Sequence, residues 1–254
     1  LSLHFADLAP LDEGSEGLYE GWAIVDGMPV STGVFNVNAD GEPVAPGGGA
    51  VIEEFPVTED VAMATEIKIS IEPADDGDPA PSGLIILGGA LQDDMAELQT
   101  GLGGVAAASG CYILATPSDD HVDDTNGHQG IWWLTMPGPE PGLMDLPDLG
   151  SAWTYEGWVV DTSGGTPTPY STGTFASGDM ADSDEAGPMG GGPPVPGQDF
   201  VAYQGGPVLD LASGDFAAVI SIEPVPDNSP APFQLKPLAG LIGEGAGDGC
   251  VENQ

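Results

Sequence analysis

The residues best suited to chemistry lie in an acidic loop near the middle of the chain. Between Ser118 and His128 the sequence places four carboxylates, one amide and two imidazoles. Because Ca²⁺ accepts oxygen ligands in loose geometry, the loop is a candidate calcium site, with a transition-metal site or a merely solvated loop as alternatives. It does not match an EF-hand, since Val122 would stand at the first ligand position. The candidate ligands are Asp119, Asp120, Asp123, Asp124 and Asn126.

A second acidic turn offers the same chemistry on a smaller scale. It contains Asp75, Asp76 and Asp78, and its counterpart later in the chain is Asp227 with Asn228. Calcium is the one cofactor that we expect. If calcium binds the native state, it should raise the melting temperature more than sodium chloride does at equal ionic strength.

Catalytic patterns are scarce in this sequence. It has no Gly-x-Ser-x-Gly elbow, no His-Glu-x-x-His and no phosphate-binding loop. Glu20 and Glu156 each stand near a tryptophan in the motif Tyr-Glu-Gly-Trp, as in a site that stacks on sugar. They occupy equivalent places in two copies of that motif, however, which indicates a role in folding. We therefore expect Trp22 and Trp158 to anchor the core, each glutamate to accept hydrogen bonds from a neighbouring loop, and the protein not to be an enzyme.

The charge of the chain excludes several partners. Asp and Glu number 41 against two lysines, Lys68 and Lys236, and no arginine, which gives a formal net charge of -39. Such a chain repels nucleic acid and anionic membrane surfaces. It is not composed like a disordered tail, because 41% of its residues are hydrophobic and they fall into short runs.

The elements that position these residues are repeated along the chain. Five blocks recur in the same order, with an offset that grows from 136 to 151, so the second copy carries an insertion, which we place in the Gly/Pro-rich segment 180–198. We expect copy one at 1–136, a Pro/Gly linker at 137–142 and copy two at 143–254. The blocks are Tyr19–Trp22 with Tyr155–Trp158, Ser31–Phe35 with Ser171–Phe175, Ser70–Pro73 with Ser221–Pro224, Pro79–Pro81 with Pro230–Pro232, and Leu87–Gly89 with Leu238–Gly240.

Within each copy the pattern is typical of strands. A first strand is predicted around Leu3 and Phe5, with Asp7 on the same face. In 18–25 the period of two places Trp22 on the opposite face from Tyr19, and a hairpin turn at 26–27 and an alternating strand at 66–71 follow. Only 91–98 has helical spacing, and there at most for a short helix. The sequence therefore predicts an all-β protein made of two tandem antiparallel β-sandwich domains of immunoglobulin type, derived from an internal duplication.

Two further pairs of residues carry structural expectations. Cys111 and Cys250 are too far apart for a CxxC motif and lie at equivalent places near the ends of their copies, so a disulfide between them is favoured. Two buried thiols or an intermolecular bond are the alternatives. Trp132 and Trp133 are adjacent in one predicted strand and must point to opposite faces. One of these two rings is a candidate for an exposed contact surface.

The repeated motifs resemble the extracytoplasmic domain of anti-sigma-K-factor-like proteins. The resemblance covers most of the chain and rests on Tyr-Glu-Gly-Trp, Ser-Thr-Gly-x-Phe, Ile-Glu-Pro and Pro-Ala-Pro in both copies. It extends to a tandem secreted form through the segments Tyr112–Pro117 and Gly130–Trp132. The resemblance implies a β-sandwich and a place outside the cytoplasmic membrane. It does not imply transcriptional control.

Location and function follow as expectations. The chain starts at Leu1 without an initiator methionine and has no apolar stretch long enough to span a bilayer, so we expect an extracellular or cell-surface protein whose signal peptide has been removed. The leading hypothesis is a structural subunit that polymerises with itself into a filament, sheath or surface layer, by exchanging its first strand. The alternative is a surface module that binds carbohydrate, such as cell-surface glycans, or protein through exposed tryptophans.

Overall fold

The computed structural model describes residues 1–6, 8–73, 77, 79–92, 94–100, 105, 107–117, 127–183, 192–201, 209–227 and 229–252. The chain is all-β, as the sequence predicts, and strand pairings among these residues are antiparallel. Short 3-10 turns lie at Gly127–Gln129 and Leu211–Ser213. The strands are β1 (Leu18–Val25), β2 (Met28–Val37), β3 (Pro43–Val44), β4 (Ala64–Glu72), β5 (Ile85–Ala90), β6 (Gln99–Thr100), β7 (Ser109–Leu114), β8 (Gly130–Trp132), β9 (Leu134–Thr135), β10 (Glu140–Pro141), β11 (Leu143–Met144), β12 (Trp153–Asp161), β13 (Thr168–Phe175), β14 (Gly197–Asp199), β15 (Phe216–Pro224), β16 (Leu238–Leu241) and β17 (Asp248–Glu252).

The chain divides into two compact units. Unit 1 contains Leu1–Gly103 with Leu149–Trp153 and Pro224–Asn228, and unit 2 contains the remaining residues. The segment 104–136, which the repeat analysis placed in copy one, belongs to unit 2. Strand β10 lies inside the segment 137–142 that was predicted as a linker.

Unit 1 is built on one six-stranded sheet in the order β3-β2-β1-β4-β5-β6. The predicted hairpin turn joins β1 to β2, where Asp26 and Gly27 both have positive φ angles, of 51° and 79°. A two-residue turn with positive φ at both positions matches the right-handed twist of the strands that it joins. One face of the sheet carries an aromatic cluster in which Phe35 packs against Phe5, Tyr19 and Phe55.

Unit 2 contains two larger sheets and a two-stranded ribbon of β9 and β10. One sheet has the order β13-β12-β15-β16, and the other runs β11-β7-β8-β14, with β17 also paired to β7. Gly110 of β7 lies against Leu238 of β16 and the ring of Trp133, because a Cβ on Gly110 would come within 3.0 Å of both side chains. Side chains of the two sheets therefore meet in one core.

The two cysteines lie in unit 2 and form an intramolecular disulfide. Cys250 of β17 stands directly opposite Cys111 of β7 in the antiparallel register. The bond joins residues 139 positions apart, so it restricts a long segment of the unfolded chain. The predicted pairing is confirmed, and its place is a pair of neighbouring strands in one sheet.

Two local predictions are wrong. Residues 1–6 and 8–17 form no strand, although Leu3 is buried and Phe5 stacks on Phe35; Asp7 lies outside the described residues. Leu1 exchanges backbone hydrogen bonds with Phe55 alone, which is too little pairing for a strand. The helical spacing at 91–98 is also misleading, because Gln92 and Met95 form a tight bridged turn.

No helix among the described residues is long and apolar enough to cross a bilayer.

Candidate binding site

A buried polar network recurs at equivalent positions of the two units. In unit 1 the indole of Trp22 donates to Ser70 Oγ at 2.7 Å, and Ser70 in turn donates to Glu72. The backbone N–H of Ser82 donates to both oxygens of Glu72 at 2.9 and 3.1 Å. Glu72 therefore holds the loop after β4 in place. The hydrogen bonds that it accepts offset the free-energy cost of burying its carboxylate.

Unit 2 repeats this network residue by residue. Trp158 donates to Ser221 Oγ at 2.8 Å, Ser221 donates to Glu223, and the N–H of Phe233 donates to Glu223 at 2.8 Å. Each tryptophan anchors a core, as the sequence predicts. The glutamates of the Ile-Glu-Pro blocks serve structure, because their oxygens receive hydrogen bonds from the fold itself.

The glutamates of the Tyr-Glu-Gly-Trp motif also have structural partners. Ser31 on the adjacent strand donates to Glu20, and Ser171 donates to Glu156. These two donors lie on the paired strand, whereas the sequence led us to expect donors from a neighbouring loop. Each Glu–Ser pair fixes the register of its hairpin.

A β-bulge places a threonine over a glycine in both units. The register shifts between Gly21 and Trp22, so Thr32 is the extra residue of β2. Its side chain covers Gly21, where a Cβ would lie 2.3 Å from Thr32 Oγ1. In unit 2 the corresponding distance, from a Cβ on Gly157 to Thr172 Oγ1, is 2.2 Å. Bulges commonly re-aim a side chain in this way, and only glycine fits beneath it.

The space beside this threonine is filled in unit 2. The indole nitrogen of Trp133 lies 3.5 Å from the same Cβ position above Gly157. Trp133 is fully buried and its ring packs edge-on against Tyr112. The indole N–H and the Thr172 hydroxyl both lack a hydrogen-bond partner among the described residues. Both lie within 3.5 Å of the Cβ position above Gly157.

In unit 1 the equivalent space is a cavity of about 370 Å³. Within the described part of the chain, the three atoms nearest to a Cβ on Gly21 belong to Thr32 and Ile69, at 2.3 to 3.7 Å. Thr32 is 2% exposed and lines the cavity, and its hydroxyl has no hydrogen-bond partner among the described residues. The other lining residues are mainly small or apolar, and include Ala23, Val61, Ala62, Ile67, Leu91 and Asp94. This cavity is the candidate site.

The sheet edge beside this space also differs between the units, since it is covered in unit 2 and exposed in unit 1. In unit 2 the outer edge of β13 is covered by the insertion, since Ser183 N–H donates to Thr174 O at 2.8 Å and Ser183 Oγ accepts from Thr174 N–H at 3.1 Å. In unit 1, the part of β2 that β3 covers is Asn36 and Val37. Val34, the counterpart of Thr174, is 42% exposed. Among the described residues, the edge of β2 at Val34 is therefore open.

The insertion also holds Trp133 in place. The backbone N–H of Trp133 donates to Pro196 O at 2.9 Å, and β14 pairs with β8, which leads into Trp133. Buried Asp182 accepts the N–H of Gly197 at 2.8 Å and ties the two ends of the insertion together. One segment of copy two thus covers both the edge and the core position that are open in unit 1.

The candidate calcium ligands at Asp75, Asp76, Asp78, Asp119, Asp120, Asp123, Asp124 and Asn126 lie outside the described residues, as does His121. His128 is described and its Nδ1 lies 3.7 Å from Asp210 Oδ1 on the surface. No group of three or more His, Cys, Asp or Glu side chains is arranged to hold a metal ion within the described ranges. Calcium binding stays a prediction, and a matched comparison of calcium with a chelator checks it.

The expectation of an exposed tryptophan is wrong. Trp132 and Trp133 are 1% and 0% exposed. Trp132 donates its indole N–H to Ala115 O, and a cluster with Leu134 and Val195 buries its ring. The remaining tryptophans are also buried, so all five rings belong to cores. None of the five tryptophans is therefore exposed for a carbohydrate to stack on.

Comparison with family models, with curated proteins and with solved structures gives no match for this chain. The likeness to anti-sigma-K-factor-like domains consequently rests on the quoted motifs alone.

The sequence did not lead us to identify Thr32 and Gly21 as residues of the candidate site. It also did not lead us to predict which core contains Trp133. The signal for the first two was present, because Gly21 and Thr32 are invariant members of the repeated blocks, with Gly157 and Thr172 as their counterparts. A glycine inside a strand motif often marks a bulge or a close approach. No local pattern indicates which core receives Trp133.

Proposed function

We propose that this chain is a non-enzymatic extracellular binding protein that accepts an extended segment of a partner protein on the edge of β2 in unit 1. The observation that carries the proposal is the open edge of β2 at Val34, because the insertion covers the equivalent residue, Thr174, in unit 2. An exposed edge offers backbone groups for strand addition, in which main-chain hydrogen bonds supply affinity and side-chain pockets supply specificity.

The charge of the chain limits the partner segment. A formal net charge of -39 repels acidic segments and attracts basic ones. The incoming strand is therefore neutral or basic, and its association slows as salt screens the attraction.

The repeated networks support a common origin of the two units. Matching motifs form matching hairpins, with Tyr19 opposite Phe35 in one and Tyr155 opposite Phe175 in the other. The same bulge and the same Trp–Ser–Glu chain follow in each. We propose that both units derive from one duplicated β-sandwich, and that copy two acquired the insertion which closes its edge.

Two observations support an extracellular, non-enzymatic role. The disulfide is of the kind that persists in oxidising compartments. Glu20, Glu72, Glu156 and Glu223 accept hydrogen bonds from the fold at equivalent places in both units, which is what structural carboxylates do.

The test uses the full-length chain and a phage-displayed library of short linear peptides. We expect enriched peptides to protect the β2 amides near Gly33 and Val34 from hydrogen exchange. Val34→Lys should abolish binding, because an exposed lysine on an edge strand opposes pairing. Thr174→Lys is the matched control in unit 2, adds the same charge, and should bind peptide like the wild type. Peptides that protect other strands, or enrichment unaffected by Val34→Lys, would contradict strand addition.

Self-assembly is a second candidate, carried by the N-terminal segment. Leu1, Leu3 and Phe5 alternate along a segment that forms no strand of its own, so a second copy can take it up in place of the original. Electron microscopy and light scattering at high protein concentration test this candidate. Monomers under all conditions, including calcium, would exclude the polymer while leaving peptide binding on β2 untouched.

A further inference from the structure

We infer that the cavity of unit 1 binds an indole ring, either as the tryptophan side chain of the added segment or as a small free ligand. The inference rests on the proposed function, because an indole site would determine which partner segments add to β2. Its basis is the equivalence of the two units, because the place beside the bulged threonine holds Trp133 in unit 2 and a cavity in unit 1.

The size and lining of the cavity suit this ring. An apolar cavity of about 150 Å³ holds benzene in another protein, so about 370 Å³ accommodates a bicyclic ring with its linker. Ala23 and Ile67 form an apolar floor on β1 and β4, and Val61 and Leu91 add to the walls. Small-molecule sites commonly combine such walls with one or two placed polar groups.

Two polar side chains line this cavity, exposed Asp94 and buried Thr32, and the buried polar group is the Thr32 hydroxyl. It is buried over Gly21 and has no hydrogen-bond partner in the described part of the chain, so an N–H donor that reaches it on binding would satisfy it. Tryptophan offers that donor on an otherwise apolar ring. In unit 2 the indole nitrogen of Trp133 and the hydroxyl of Thr172 lie 3.5 and 2.2 Å from the same Cβ position above Gly157, although the two groups do not hydrogen-bond to each other.

None of the tryptophans in these 254 residues can supply the ring. All five tryptophans of this chain are buried in its own cores, so a folded second copy has none to offer. Asp94 at the cavity favours a ligand that is neutral or carries positive charge near the ring.

The first experiment titrates the full-length chain with indole and with N-methylindole and follows methyl resonances of Ala23, Ile67 and Leu91. We expect indole to shift these resonances and to bind about threefold to tenfold more tightly than N-methylindole, the factor that one buried hydrogen bond supplies. Thr32→Val should erase that preference without abolishing binding. A preference that survives Thr32→Val would overturn the assignment of the hydroxyl.

Blocking variants then locate the ring. Ala62 is exposed and lines the cavity, so Ala62→Phe can fill it from the rim without disturbing the core. Ala23→Leu fills it from the floor, and Val159→Leu is its matched control in unit 2. Both blocking variants should lose indole binding, whereas the control should keep it. Hydrogen exchange of β1 and β4 verifies that the blocking variants are folded, and exchange of β12 and β15 does so for the control. Indole shifts that persist in folded Ala62→Phe overturn the inference.

Peptides separate this inference from the proposed function. We expect segments that add to β2 to contain tryptophan, and replacement of that tryptophan by alanine to weaken them about 100-fold, as for a buried aromatic anchor. Peptides that protect β2 equally well without an aromatic residue exclude the added segment as the source of the ring and leave strand addition standing. Binding of free indole with no peptide on β2 supports the indole site and overturns strand addition.

Discussion

Units 1 and 2 share their hairpins, bulges and buried networks, yet they differ in what covers them. In unit 2 the insertion covers the edge of β13 at Thr174 and supports Trp133 over Gly157. In unit 1 the edge at Val34 is exposed and the space over Gly21 is a cavity. The comparison indicates that the repeated motifs build a scaffold, and that the added segment decides whether the scaffold is closed.

Replacing the core ring of unit 2 tests the comparison most severely. Trp133→Ala should destabilise unit 2 by about 3–5 kcal/mol, because it opens the cavity that unit 1 already has. Added indole should recover part of the loss by binding the native state. Denaturant unfolding with and without indole measures both effects. Recovery by cyclohexane equal to that by indole would show that the polar partner is irrelevant.

Breaking the disulfide should destabilise unit 2 and leave unit 1 unchanged. Cys111→Ser combined with Cys250→Ser should destabilise unit 2 by about 2–5 kcal/mol, because the unfolded chain gains the freedom of a long loop. Hydrogen exchange should show faster opening of β7 and β17, with β4 of unit 1 unchanged. Equal acceleration in β4 would mean that the two units unfold as one.

The glycines beneath the threonines should respond unequally to alanine. A new Cβ meets Thr172 at 2.2 Å in unit 2 and Thr32 at 2.3 Å in unit 1. Overpacking costs about 1–3 kcal/mol, and we expect Gly157→Ala near the upper end and Gly21→Ala near the lower, because Thr32 has a cavity to move into. Thermal unfolding measures the difference. Gly165→Ala is the control, since no atom lies within 4 Å of its Cβ position; a larger effect at Gly21 would refute the unequal filling.

Alkaline pH should weaken unit 2 more than unit 1. Burial raises the pKa of Tyr19 in unit 1 and of Tyr112 and Tyr155 in unit 2. The folded chain therefore keeps these phenol protons above the pH at which the unfolded chain releases them. Stability is fully present below about pH 10 and falls as pH rises from there towards the folded pKa values.

Phenylalanine variants check the sign of this pH dependence. Tyr19 and Tyr155 donate to Ala9 O and Pro147 O, each at 2.7 Å, so Tyr→Phe should cost about 1 kcal/mol at neutral pH. The variants should lose less stability than the wild type above about pH 10. Denaturant midpoints across that pH range give the measurement, and a steeper fall in the variants would reverse the assignment.

Much of the scaffold was predictable because its signals are local. The period of two in β1 separates Tyr19 from Trp22, and the hairpin turn is defined by two adjacent residues. The strand predicted around Leu3 and Phe5 does not form, and the reason is physical. Alternating apolar residues indicate which side chains are buried, but they do not indicate whether a partner strand is available. The prediction that Trp132 or Trp133 is exposed was wrong for a similar reason. Two adjacent apolar residues can both be buried when the two sides of the chain pack against different cores.

The sequence by itself determined the strand pattern, the repeat and the equivalence of Gly21 with Gly157 and of Thr32 with Thr172. These features depend on residues close together in the chain and on motifs that recur. Only the tertiary structure decided that Trp133 fills one core and that the other core keeps a cavity. Those outcomes depend on contacts between segments far apart in sequence, such as Trp133 with Pro196, which burial and pairing select only when the whole chain folds.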